Sequence, residues 1–269
     1  MAKARKASSK TTTKGATPKM KRVAKKASAK KAPPAKKAPS AKKAKAPKAK
    51  ARARLGRSFL AGEVTLDEIR KLTRGFAQAS PLFADEMMDG SDYDVVVADG
   101  DLHVKGDLRT FEHELCGLVV NGSLTVDGLY ADTDDPACGV FVLGDMKAHR
   151  VVTTGSLGVK GSLIATDALV GFYNDYGAEI GKDVVTPLFF PENHHFEIKG
   201  ELNAKHVVGY GAEYRVPKAL KARAESLVPK RLRDVLVDEV LKGEADDEVE
   251  LDPRLLTQRV RTGLPVLRG

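Results

Sequence analysis

The chain has no tryptophan and only two cysteines in 269 residues. Two thiols exclude a disulfide framework and suit a reducing compartment. No stretch approaches the roughly 20 apolar residues of a membrane-spanning helix. The positive N-terminus is not followed by the apolar run that a secretory signal needs. These absences point to a cytoplasmic protein with no transmembrane segment. Phosphate loops, nucleophile elbows and HExxH motifs are missing too. No catalytic residue, cofactor or metal is therefore expected, and the chain reads as a non-enzyme.

The sharpest absence is of negative charge. Residues 1–57 hold 22 Lys and Arg and no Asp or Glu, whereas the remainder holds 23 basic and 36 acidic side chains. A tail of about +22 is joined to a body of about −13, and such asymmetry points to a tail with an anionic partner. KRVAKKASAKKAPPAKKAPSAKKAKAPKAKARAR (21–54) has no aromatic residue and one β-branched residue, Val23. It buries too little apolar area to offset its ordering entropy, so disorder is expected. The prolines at 33, 34, 39 and 47 interrupt any Ala/Lys helix. The cationic candidates are Lys21, Arg22, Lys25, Lys26, Lys30, Lys31, Lys36, Lys37, Lys42, Lys43, Lys45, Lys48, Lys50, Arg52 and Arg54. They are expected to neutralise phosphates of nucleic acid without sequence preference. An anionic membrane surface is the competing partner, but lipid-binding tails usually add apolar anchors, and this one has none. A nucleoid association is the expected consequence.

The body is short of long helical periods. Thr65-Leu66-Asp67-Glu68 reads as a capping box opening a short helix within a helical N-terminal cap, 58–93. From 94 to 212 the chain consists of short β-rich runs, each followed by glycine and a polar residue. With Gly100, Gly122 and Gly144 in register, DVVVADGDL, CGLVVNGSL and CGVFVLGDM stack at a spacing of 22. GDLHVKGDL, from Gly100, is repeated as GSLGVKGSL from Gly155; GDMKAHRVV, from Gly144, is echoed by GELNAKHVV from Gly200. Gly161, Gly181 and Gly200 continue the series at 20 and 19.

A period near 20 with two or three short strands marks a β-solenoid. The L-x-V alternation sends Leu and Val to one face, and stacking buries what one coil alone leaves open. Asn121-Gly122 is also a hairpin signal, the mark of an antiparallel sandwich, but a hairpin does not require like residues in fixed register. In the helical C-terminal segment, 213–269, VPKALKARAESLV and VPKRLRDVLVDEVLKGE carry Leu and Val at 3–4 spacing, and DPRLLTQRVRTGL makes a last short helix. These helices are expected to cap the open end of the coil stack.

The Gly-[Asp/Ser]-Leu-x-Val coils of residues 94–210 resemble the bactofilins, polymer-forming bacterial cytoskeletal proteins. The resemblance implies a right-handed parallel β-helix, an all-β core with short flanking helices and a disordered N-terminal tail. It also implies a scaffold that self-associates end to end. The segments VGFYNDYGAEIGKDV (170–184) and FFPENHHFEIKGEL (189–202) depart from plain coil sequence, and helices on both flanks argue against stacking. The tail is similar to the Lys/Ala/Pro-rich tails of linker histones.

Two candidate sites remain. Cys116 and Cys138 hold equivalent places in consecutive coils, with Asp94 in the third. They read as two small apolar thiols stacked in a core column rather than a zinc site, which needs four ligands. His194 and His195, with Glu192, Glu197 and Asp175, form the alternative: an enzyme site beside the Tyr173-Asn174-Asp175 loop. Adjacent side chains of an extended segment face opposite ways, so the pair reads as a loop with one histidine packed inward. Phe172, Tyr173, Tyr176, Phe189, Phe190 and Phe196 around it read as one aromatic cluster closing a core or making a contact surface. The leading expectation is a cytoplasmic scaffold tethered by its tail; a monomeric interaction module is the runner-up.

Overall fold

The structure is a computed structural model that describes residues 55–89, 91–172, 175–208, 214–215, 225–226, 229–244 and 248–269. It is a β-solenoid of about five turns. Parallel strands stack into two sheets that face each other across a shared core. Sheet A runs Arg57–Ser58, Asp94–Ala98, Leu115–Val120, Gly139–Val142, Ser156–Val159, Gly177–Ile180, His195–Ile198 and Tyr214–Arg215. Sheet B begins at Leu102–Val104 and continues through Leu124–Ala131, Met146–Thr153, Leu163–Phe172, Val184–Glu192, Leu202–Val207 and Glu225–Ser226. Its longer strands bend where the register slips, as between Val126 and Leu129. Each coil therefore presents three short straight runs, as its alternation requires.

The period is set by stacking. Leu124, Met146, Leu163, Val184 and Leu202 pair in succession, giving coils of 22, 17, 21 and 18 residues. All five are fully buried. One such side chain contributes about 1.5–3 kcal/mol of burial, which fixes the inward column while corner lengths vary. At the corner before this column a second ladder forms. Asp101 accepts from Ser123 N (2.7 Å), Asp145 from Ser162 N (2.8 Å) and Asp183 from Glu201 N (2.8 Å). The glycines lie just before it because coils touch there through backbone: a Cβ on Gly122 would come within 2.4 Å of the carbonyl carbon of Gly100.

Gly144 stacks on Gly161, as the glycine series implies, but the register differs from the expected alignment at Gly155 and at Gly181. Gly155 opens the Ser156–Val159 strand of sheet A, while Gly100 opens Leu102–Val104 of sheet B. The repeated phrase encodes strand, turn and strand, which this chain uses at two different corners. Further on, Lys182 takes the glycine position, since its N–H meets Gly161 O and its carbonyl meets Gly200 N, and Gly181 lies one residue early. The two segments that looked irregular are also coil. Ala178 and Phe196 pair within sheet A, and Leu188 and Phe189 lie in sheet B.

The helices α1 (Leu66–Thr73), α2 (Ala79–Leu82) and α3 (Asp85–Met88) precede the coils; α4 (Pro229–Val235) and α5 (Pro253–Arg261) follow them. Thr65 caps α1 by accepting from Glu68 N at 3.2 Å. The Glu68 carboxylate binds Arg57 at 2.6 Å, and Arg57 also binds Asp99. Leu55 is buried in the core, so the folded body begins before the composition shift at 57. The expected long C-terminal helix stops at Val235. Leu236 bridges to Leu267 and Val237 N donates to Val266 O, so tertiary pairing overrides the helical period. Of the helix expected over 216–228, residues 225–226 form a strand on sheet B and the rest lie outside the described residues.

Among the described residues the helices cover the sides of the stack rather than its end. Val64, Ile69, Phe76, Leu82 and Phe83 cover Val95, Val97, Val119 and Phe141 on the outer face of sheet A. Leu232, Leu236, Leu256 and Val260 cover Ala131, Val152, Val170, Leu188 and Phe190 on the outer face of sheet B. Among the described residues no helix is long and apolar enough to cross a membrane.

Candidate functional site

On the outer face of sheet A, one column is almost without side chains. Gly117, Gly139, Ser156 and Gly177 occupy it in successive coils, and His195 ends it. The helices use part of the space: a Cβ on Gly139 would lie 2.6 Å from Leu82 Cδ1. Beyond Leu82 the trough opens into a cavity of about 530 Å³. Ala77, Gln78, Pro81, Leu82 and Met87 form one wall; Ser156 and Gly177 form the floor. Ala137, Asp175, Tyr176 and His195 complete it.

Gln78 holds the helical wall to the sheet. Its Oε1 accepts from Gly177 N at 3.1 Å, and its own N–H donates to Glu179 Oε1 at 3.2 Å. Ser156 is 1% exposed, and its Oγ meets no hydrogen-bond partner among the described residues. Met87, opposite, is 53% exposed. The Tyr176 phenol is pushed up by burial and then by the negative charges of Asp175, Asp134 and Asp135. The mouth of the cavity is thus electronegative, with no Lys or Arg among the described residues of its lining.

A second polar constellation is closed. The carboxylate of Asp132, 3% exposed, accepts from the hydroxyls of Tyr130 (2.8 Å) and Thr153 (2.7 Å). The N–H groups of Thr154 (2.6 Å) and Gly155 (2.8 Å) also donate to it. Four donors satisfy a buried charge, so this carboxylate fixes a corner.

The residues proposed from sequence fall in separate places. Lys21, Arg22, Lys25, Lys26, Lys30, Lys31, Lys36, Lys37, Lys42, Lys43, Lys45, Lys48, Lys50, Arg52 and Arg54 lie outside the described residues, as do Tyr173 and Asn174. The two cysteines do not share a column. Asp94 pairs with Leu115 and Val95 with Gly117, so Cys116 is the extra residue of a bulge. Cys116 packs outward beside α1–α3, whereas Cys138 points into the central core. Burial pushes the Cys116 thiol up to about 11 and that of Cys138 higher still, so both stay protonated and weakly nucleophilic at neutral pH.

His194 is fully buried, edge-on to Phe196 at 5.3 Å, while His195 is exposed at the cavity. The aromatic cluster is divided: Phe189 and Phe196 meet in the central core at 5.0 Å, and Phe190 packs on the other face of sheet B. Tyr176 packs with the N-terminal helices. Sequence reasoning missed Ser156 and Gln78. The available signal was the outward small residue in CGLVV, CGVFV, GSLGV and YGAEI, one per coil. No family model, curated protein or solved structure matches the chain.

Proposed function

We propose that the protein is a non-enzymatic scaffold, a self-associating β-solenoid whose cationic tail attaches it to nucleic acid. The observation that carries this reading is the end of sheet B. The strand Leu102–Val104 pairs with Leu124–Val126 on one side and with no described strand on the other. Leu102 N donates inward to Ser123 O at 2.8 Å. In a parallel ladder the next residue's N–H and C=O point the opposite way, so those of His103 face out of the stack. An unpaired edge is a template for another chain, and the C-terminal strand Glu225–Ser226 of a second copy supplies a parallel mate. The bactofilin-like coil pattern supports the same assembly, end to end and without nucleotide.

The tail supplies attachment. The 21 cationic side chains of residues 1–54, without one carboxylate, favour a polyanion through counterion release, and DNA is the abundant polyanion of a nucleoid-associated cytoplasmic protein. The runner-up is a monomeric interaction module. The antiparallel strand Arg57–Ser58 supports it, because it covers Val96 and Val97 and blunts half of the same end. The enzyme alternative draws no support from this pair: His194 is buried just before the strand His195–Ile198, and His195 at its start is exposed.

Two measurements test the proposal. Negative-stain microscopy across protein concentrations is expected to show rods that lengthen with concentration. DNA affinity of the full chain is expected to fall steeply with salt, with a log–log slope of about −0.9 per phosphate neutralised, and to vanish on deleting residues 1–54. Uniform single particles at every concentration reject the scaffold; salt-dependent DNA binding by the truncated chain rejects the tether.

A further inference from the structure

We propose that the cavity on sheet A is a docking groove for a basic peptide segment of a partner protein, which lays a Lys or Arg side chain along the trough. The inference is independent of the scaffold reading, since the groove lies on the lateral face and not at the end of the stack.

Three observations converge. The first is shape. The trough is a column of missing side chains, and its volume of about 530 Å³ holds two or three side chains while remaining open along one side. The second is chemistry. Pro81, Leu82, Met87 and Ala137 offer an apolar wall for a methylene stem, the environment in which long cationic side chains bury their stems and leave the charged head at the rim. Asp175 lies at that rim, and the charges of Asp134 and Asp135 act on the adjoining Tyr176. An anionic or purely apolar ligand is disfavoured by this field. The third is an incomplete bond. A hydroxyl buried without a partner is costly to leave unsatisfied, and Ser156 Oγ on the groove floor meets no partner among the described residues. An ammonium, guanidinium or peptide N–H placed in the groove gives it a donor. A groove kept closed by Leu, as at Gly139, would have no use for that serine.

The test uses the full chain and a fluorescein-labelled peptide, Ala-Lys-Pro-Ala-Lys-Ala, with Ala-Gln-Pro-Ala-Gln-Ala as the neutral control, followed by anisotropy at physiological salt. The lysine peptide is expected to bind at least tenfold more tightly than the glutamine peptide. The double charge reversal Asp135→Lys/Asp175→Lys changes exposed positions and is expected to abolish that preference. Ser156→Ala is expected to weaken binding several-fold while leaving the thermal midpoint unchanged or raised, because it removes an unsatisfied group. Equal binding of the two peptides, no binding of either, or wild-type affinity in the charge-reversed chain overturns the proposal. Loss of binding in Ser156→Ala together with a lowered thermal midpoint assigns the serine to the fold and likewise overturns its role as a ligand.

Discussion

The two outer faces of the solenoid are covered by similar means and end differently. Sheet B presents Leu129, Ala131, Val152, Ala168, Val170, Leu188 and Phe190, all buried beneath the C-terminal segment. Sheet A presents Val95, Val97, Val119 and Phe141 beneath α1–α3, but its later coils turn to Ser156, Gly158, Gly177, Glu179 and Glu197. The apolar outward residues stop at about the coil where the short helices run out. Coverage therefore follows the outward residue type coil by coil, and the groove lies at the boundary.

The largest effects are expected where the helices anchor. Phe141 is edge-on to Phe83 at 5.6 Å and tilted against Phe76 at 5.1 Å. Phe141→Ala and Phe190→Ala should each cost about 3–5 kcal/mol in urea unfolding. Amide exchange should separate them, with Phe141→Ala loosening α1–α3 and Phe190→Ala loosening α4 and α5. If both variants loosened the same helices, the two faces would not be independent. Next is Gly122→Ala at the corner common to both sheets. Its Cβ meets the backbone of Gly100 and Asp101, which cannot step aside, as well as the Asp101 carboxylate, so a loss of about 1–3 kcal/mol is expected, equal in effect on both faces.

Acidification is expected to act at the corners and caps. Burial works against ionised Asp107, but the Leu129 amide and Arg109 hold its carboxyl below the usual carboxylate range. A hydrogen bond from Lys242 and the α5 amides do the same for Asp252. A lowered folded value means that this stability is fully present above the unfolded aspartate pKa of about 3.9. It is lost as pH falls through the lower folded values. An acid titration of the thermal midpoint should show the drop below about pH 4, and Asp107→Asn should make it shallower. The smallest effect belongs to the part of sheet A that no described helix covers, where Glu197→Gln is expected to stay within about 0.5 kcal/mol.

Much of this was legible in the sequence, and the failures are physical. The L-x-V alternation and the 22-residue spacing identify stacked coils because inward burial is repeated identically. The same residues do not reveal register once coils shorten, since GSLGVKGSL folds as strand, turn and strand wherever it is placed. Cys116 and Cys138 looked equivalent by spacing, but one extra residue in a bulge turned Cys116 to the outside. The helices α1 and α5 were readable as helices, whereas the helical period after 216 overstated the C-terminal segment; docking on lateral faces depended on outward residues such as Val119 and Phe141, whose role appears only when the coils are stacked. The groove was hidden for the same reason: Gly117, Gly139 and Gly177 look like turn glycines in one dimension and form a trough in three.

The scaffold reading rests on the outward-pointing backbone of His103, which sedimentation velocity across protein concentrations addresses directly. His103→Pro removes that N–H and leaves the inward bond of Leu102 in place, while His103→Ala keeps the N–H and removes only the exposed pairing with Asp127. The account predicts concentration-dependent growth for the wild-type chain and for His103→Ala, and a monomer at every concentration for His103→Pro. Growth of His103→Pro to the wild-type size would contradict it.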